Sequence, residues 1–137
     1  MDTLAGSNLL IGSDIVAISR ITQLLDNYPN KFKKFAFSPL EQQYCDKQAN
    51  PSQHYAARWA IKEAYIKSTG KVGSNPDLST IEIVRDPTPS LSLSGDGLEL
   101  LREASTRDHP VDQATIAISL SHEKELDMAL GVVIVNL

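Results

Sequence analysis

The sequence predicts an α+β fold: an antiparallel sheet packed on one long buried helix. Three observations carry that expectation. Helical spacing of apolar residues dominates the chain up to residue 69. After it come short apolar runs bounded by turn residues, the pattern of antiparallel hairpins. The helix expected over 51–69 is apolar on two sides, which places it between layers rather than on a surface. The 137 residues form one domain, 1–137, with no repeat and no low-complexity tract.

Residues 9–18 are rich in Leu, Ile and Val and predict a strand. Ile18, Ile21, Leu24 and Leu25 recur at helical spacing, so a short helix is expected over 19–27, broken by Tyr28-Pro29-Asn30. Ser38-Pro39-Leu40-Glu41 opens the next helix. Ser38 caps it, Pro39 sits where its missing N–H costs nothing, and Glu41 completes a capping box. Asn50-Pro51 opens the long helix, and Gly70 stops it. In that helix Tyr55, Trp59 and Ile66 share one side, and Ala57, Ile61, Ala64 and Tyr65 cover the other. Strands are expected over 81–85 and 90–94, joined by the turn Asp86-Pro87-Thr88-Pro89. A short helix follows over 98–105. Residues 115–121 alternate Ile116, Ile118 and Leu120 with Ala117, Ser119 and Ser121, a half-buried strand with one small-residue face. Residues 129–135 are nearly all apolar and read as a buried strand.

Composition narrows the function classes. Thirteen Lys and Arg against seventeen Asp and Glu give a net charge of −4, so a chain-wide cationic field for nucleic acid is absent. The single Cys45 has no internal disulfide partner, and no Cys/His group has zinc spacing. No apolar run reaches the roughly 18 residues of a membrane span, and MDTLAGSNLLIGSDIV lacks the basic start of a signal peptide. The expectation is a cytoplasmic protein that partners neither nucleic acid nor membrane.

Several residues resist a purely structural reading. Asp14 lies inside an apolar strand, where a carboxylate needs a partner or a purpose. On the long helix, Arg58 and Lys62 are i,i+4 neighbours of like charge, mildly unfavourable unless an anion lies between them. Glu63 sits beside Trp59 and the small Ala56 and Ala60, where a ligand has room to approach; the plain alternative is a Glu63–Lys67 surface pair. Arg20, Lys31, Lys33 and Lys34 against Asp26 alone make a basic patch suited to an acidic partner. Ser121 and His122 are adjacent in a strand and point to opposite faces, so they are no nucleophile pair.

Five segments together resemble holo-[acyl-carrier-protein] synthase, the short class of the 4′-phosphopantetheinyl transferase family. They are Ile11-Gly12-Ser13-Asp14-Ile15-Val16, Arg20-Ile21, Phe37-Ser38-Pro39-Leu40-Glu41, Arg58-Trp59-Ala60-Ile61-Lys62-Glu63-Ala64-Tyr65, and Ser119-Leu120-Ser121-His122-Glu123-Lys124-Glu125. The GxDI segment alone is weak; with RxxxKEA about fifty residues later and SxSHxKE near the end it is specific.

The resemblance implies an enzyme that moves 4′-phosphopantetheine from coenzyme A to a serine of apo acyl carrier protein, releasing 3′,5′-ADP. It implies Mg²⁺ held by Asp14 and Glu63, and Asp14, Glu63 and Lys67 as catalytic residues. It implies Arg58, Lys62, Lys67, Pro89 and His122 as coenzyme A contacts, and Arg20 as a docking residue for the carrier protein. A homotrimer with active sites at subunit interfaces is implied as well. Mg²⁺ takes carboxylate and phosphate oxygens, so two carboxylates with cations nearby suit a bound pyrophosphate. The base that accepts the serine proton stays open between a water and a nearby carboxylate.

Overall fold

The computed structural model describes residues 8–85 and 88–137. The first seven residues of the opening segment, and Asp86-Pro87 of the expected turn, lie outside the described residues. In chain order the elements are β1 (Leu9–Ala17), α1 (Ile18–Asn27), α2 (Pro29–Ala36), α3 (Pro39–Asp46), α4 (Pro51–Ser68), β2 (Ile81–Arg85), β3 (Pro89–Leu93), α5 (Gly95–Ala104), β4 (Thr115–Glu123) and β5 (Met128–Asn136). Short 3₁₀ turns occupy Leu78–Thr80 and Val111–Gln113.

The expected α+β architecture is present. The strands form two sheets rather than one: β1-β5-β4, all antiparallel, and the hairpin β2-β3. The sequence reading missed α2. Tyr28-Pro29-Asn30 ends α1, but Pro29 also opens α2 at its first turn, where a proline has no N–H to lose. Phe32 and Ala36 then bury one face of the new helix.

α4 is the centre of the molecule. Tyr55, Ala56, Ala57, Ala60, Ile61, Ala64 and Tyr65 are all fully buried, and they surround the helix axis, as the two-sided pattern required. The three-stranded sheet lies unusually close to it. A side chain at Gly131 would put its first carbon 2.6 Å from the Ile61 amide nitrogen, and one at Gly12 would overlap the Ala64 carbonyl. These two glycines let the backbones of β5 and β1 touch the helix. Residues 10, 12, 14 and 16 of β1 therefore face α4, and Asp14 is carried inward with them.

The opposite face of the same sheet is apolar and bare. Ile11 is 70% exposed and Ile15 54%, with Leu130 and Ile134 beside them on β5. Ile11 pairs with Ile134, and Ile15 with Leu130. The small outward residues Ala117 and Ser119 of β4 flatten the surface.

Candidate active site

The inward turn of β1 brings Asp14 to the last two turns of α4. Lys67 Nζ lies 2.8 Å from Asp14 Oδ1, and 45% of the lysine side chain remains exposed. Lys67 makes this cross-element pair rather than the alternative surface pair with Glu63. Glu63 is half-buried, and its carboxyl is pushed above the ordinary glutamate range, first by burial and then by the Asp14 charge, with Lys67 and Arg20 pulling the other way. Two carboxylates and an ammonium thus converge from a strand and a helix, and Arg20 of α1 stands close enough to act on Glu63.

Glu63 and Lys67 open onto a cavity of about 200 Å³. Trp59, Phe35 and Ile66 form its apolar wall, and residues 72–76 its roof. Phe35 and Trp59 also line a broader groove of about 530 Å³ that carries Arg20, Lys31 and Tyr28. The basic patch therefore adjoins the carboxylate pair, with an aromatic partition between them. Lys33 turns away to Asp46, 3.1 Å distant.

The raised Glu63 carboxyl has a consequence for stability. A group with its folded pKa above the unfolded value of 4.5 adds stability that is complete below pH 4.5 and lost as pH rises through the folded value. Glu63→Gln should therefore raise the melting temperature of the empty protein at pH 7. The gain should vanish near pH 4, which thermal melts across that interval would show.

One expected coenzyme contact needs correction, and another moves to a different side of the helix. Lys62 faces the protein interior. Its ammonium is fully buried, 2.7 Å from Glu41 Oε1 and 2.8 Å from the Leu78 carbonyl. Burial pulls its pKa down and Glu41 opposes the shift. Glu41 also accepts from the Ser38 amide at 2.9 Å and the Ile83 amide at 3.1 Å. The capping-box glutamate and Lys62 therefore form one buried node joining α3, α4 and β2. Arg58 does not lie with Lys67 either. It is 1% exposed and projects to another side of α4, about 140° from Glu63 at 100° per residue.

Arg58 belongs to a second cluster. Its guanidinium stacks 4.4 Å from the Tyr44 ring centroid, and Arg85 lies 5.5 Å from the same ring. Next to Tyr44 is His54, at 5.8 Å, and next to His54 is His122, at 5.2 Å. Pro89 pairs with Arg85 across the β2-β3 hairpin. Arg58, Pro89 and His122 are thus brought together, while Lys62 is not. The sequence reading missed Tyr44, His54 and Arg85, which come from three different elements. Tyr44, Arg58 and Arg85 of this cluster line a cavity of about 110 Å³ together with Glu41 and Glu82, and Arg58 Nε faces no hydrogen-bond partner.

Residues 10–120 match the family model described as the 4′-phosphopantetheinyl transferase superfamily. The holo-[acyl-carrier-protein] synthase of Syntrophus aciditrophicus is 40% identical over 116 residues, covering 82% of this chain and 85% of that protein. That of Ruminiclostridium cellulolyticum is 36% identical over 129 residues, 91% of each chain. Among solved structures, a Chronobacterium ammoniagenes ACPS–CoA complex superposes with a TM-score of 0.74 at 27% identity, covering 93% of this chain and 96% of that one. The Helicobacter pylori holo-[acyl-carrier-protein] synthase in complex with coenzyme A gives 0.72, also at 27% identity, over 92% and 99%. With the inward carboxylate of β1, the KEA helix and the SHxK strand all in place across that match, the chain belongs to the 4′-phosphopantetheinyl transferase superfamily.

Proposed function

We propose that the chain transfers 4′-phosphopantetheine from coenzyme A to a serine of apo acyl carrier protein and releases 3′,5′-ADP, with Mg²⁺ held by Asp14 and Glu63. The observation that carries the reading is the convergence of Asp14 with Glu63 and Lys67, the latter two lining a cavity that adjoins a cationic groove. The relatives named above supply the donor and the acceptor.

The donor set fits a hard divalent cation. Two carboxylates from β1 and α4 lie close enough for Asp14 to perturb Glu63, and they would hold the ion together with water and phosphate oxygens. When bound, Mg²⁺ would supply positive charge against the charge that develops on the leaving 5′-phosphate of 3′,5′-ADP. Lys67, half-exposed, swings between Asp14 and a phosphate oxygen and adds to that field. The serine oxygen attacks the phosphorus that bears the pantetheine arm. The bond from that phosphorus to the 3′,5′-ADP oxygen breaks, and the serine proton leaves to a carboxylate or water. Trp59 and Phe35 screen the cavity from bulk water. Arg58, Arg85 and His122 hold the coenzyme's terminal phosphate.

Two features of this chain favour a homotrimer with sites between subunits. The carboxylate cluster and the arginine cluster face apart around α4, so one subunit offers half of a site on each side. The bare apolar face of β1 and β5 is the kind of surface a second copy covers. A reaction that consumes coenzyme A belongs in the cytoplasm; no helix among the described residues is long and apolar enough to cross a membrane.

The test is intact-mass analysis of apo acyl carrier protein after incubation with this protein, coenzyme A and Mg²⁺. One added phosphopantetheine, lost when EDTA is present, supports the proposal; an unchanged carrier mass refutes it. The docking assignment has its own readout. Arg20→Glu should raise the KM for the carrier protein roughly tenfold and flatten its salt dependence. Coenzyme A affinity should hold within about twofold. Equal losses for both substrates would place Arg20 in the coenzyme site instead.

A further inference from the structure

Asp127 lies in the turn between β4 and β5. Among the described residues it is the only one other than glycine whose backbone is left-handed, with φ at 54°. Asp enters that region more readily than most side chains, but glycine occupies it without penalty. A strained aspartate therefore points to a use for its side chain. The turn does not supply that use, since it is closed by the Asp127 amide donating to the Lys124 carbonyl at 3.1 Å.

The use is visible at α1. The Ser19 amide donates to Asp127 Oδ1 at 2.8 Å, and the Ser19 hydroxyl donates to Oδ2 at 2.6 Å. The Ile18 amide donates to the Asp127 carbonyl at 3.0 Å. Ala17, in the capping position, offers no side-chain acceptor of its own. The first turn of α1 is thus capped by a residue 108 positions beyond Ser19, whose carboxylate also suits the positive end of the helix. Ile18 and Ile21 are buried and set which face of α1 turns inward. Asp127 sets where its first turn stands. Arg20 follows the two capped amides directly, is exposed, and lines the groove with Leu24, Tyr28 and Lys31.

We propose that Asp127 is a positioning residue for carrier-protein docking: it caps α1 from the β4–β5 turn and so aims Arg20 into the groove. This deepens the docking role given to Arg20 above and rests on it. Charge alone predicts the opposite sign. Removing a carboxylate beside a basic surface strengthens its hold on an acidic carrier, whereas losing the cap weakens it. Damage to the turn has a different signature again. His122, paired with Ala129 next to the turn, would be displaced, and coenzyme A affinity would fall.

The experiment is steady-state kinetics of the whole protein against apo acyl carrier protein with coenzyme A and Mg²⁺, beside a separate measurement of coenzyme A affinity. Asp127→Gly relieves the backbone and deletes the cap. Its KM for the carrier should rise about fivefold, the factor that a typical helix cap corresponds to. Its kcat and coenzyme A affinity should stay within about twofold of the parent, a split that misfolding would not produce. Asp127→Asn keeps an acceptor and tolerates the left-handed backbone, so its carrier KM should stay within about twofold of the parent. In an Arg20→Gln background, Asp127→Gly should change the carrier KM by less than about 1.5-fold, because the two residues act as one unit. A parental or lowered KM in Asp127→Gly, a coenzyme A affinity that falls with it, an Asp127→Asn protein as weak as Asp127→Gly, or an equal rise with and without Arg20 would each overturn the proposal. A parental carrier KM in Arg20→Gln alone would refute the docking role itself and the proposal with it. That result is distinct from Arg20→Gln raising the KM while Asp127→Gly does not, which overturns the positioning role alone.

Discussion

Asp14→Asn is expected to lower the transfer rate at saturating substrates by at least about a hundredfold and to raise the Mg²⁺ concentration needed for what remains. Altering groups that merely support a metal ligand costs about 10–100-fold, and removing a ligand costs more. The fold should hardly notice. Asp14 is linked to Lys67 by one ion pair with a half-exposed lysine, and pairs of that kind contribute about 0–1 kcal/mol. The substitution also relieves Glu63 of a neighbouring negative charge, so its carboxyl should move back toward the ordinary range. Steady-state kinetics against Mg²⁺, beside a thermal melt of the same preparation, checks both halves. A variant with near-normal rate at ordinary Mg²⁺ would remove Asp14 from the reacting centre.

Lys62→Met is expected to be the most destabilising of the substitutions considered, and to act on folding. It keeps the aliphatic stem but leaves Glu41 charged and fully buried, with two amide donors and no cation. Breaking a buried pair from one side costs about 3–5 kcal/mol, which in a domain of this length lowers the melting temperature by roughly 10–15 °C. The double variant Lys62→Met/Glu41→Gln removes the stranded charge and should recover most of the loss. Urea unfolding of the single and double variants reads the difference directly. Were Lys62→Met as stable as the parent but weak in coenzyme A binding, the ammonium would belong to the ligand site after all.

Asp14 and Lys62 show what was legible in the sequence. Asp14 stood out because a carboxylate inside an apolar strand has no local explanation, and Glu63 because small neighbours left room beside it. Both are properties of a few adjacent residues, and Lys67 follows one helical turn after Glu63. Lys62 looked like part of the same group because helical spacing reports direction and not what lies there. Its partner Glu41 is 21 residues away, and the capping box seemed already to account for that carboxylate. The arginine cluster was half-visible, through Arg58 and His122; Tyr44 and Arg85 carry no local oddity and meet only when α3, α4 and the β2-β3 hairpin pack together. α2 was hidden because Tyr28-Pro29-Asn30 reads as a break, and the same proline begins the next helix. The long helix, by contrast, was readable from its two apolar sides, since no surface helix needs both.

In the proposed homotrimer one chain carries two half-sites that face apart, joined only between subunits. Mixing inactive variants tests this most directly. Asp14→Asn lacks one half and Arg58→Met the other, and each should be nearly inactive alone. Denatured together in equal amounts and refolded, they should regain about a quarter of parental activity, because in a cyclic homotrimer a random neighbour supplies the intact complement at one site in four. Activity no greater than the average of the two separate preparations, from mixed trimers shown to have formed, would mean that both clusters serve a site within one subunit or that one of them serves none.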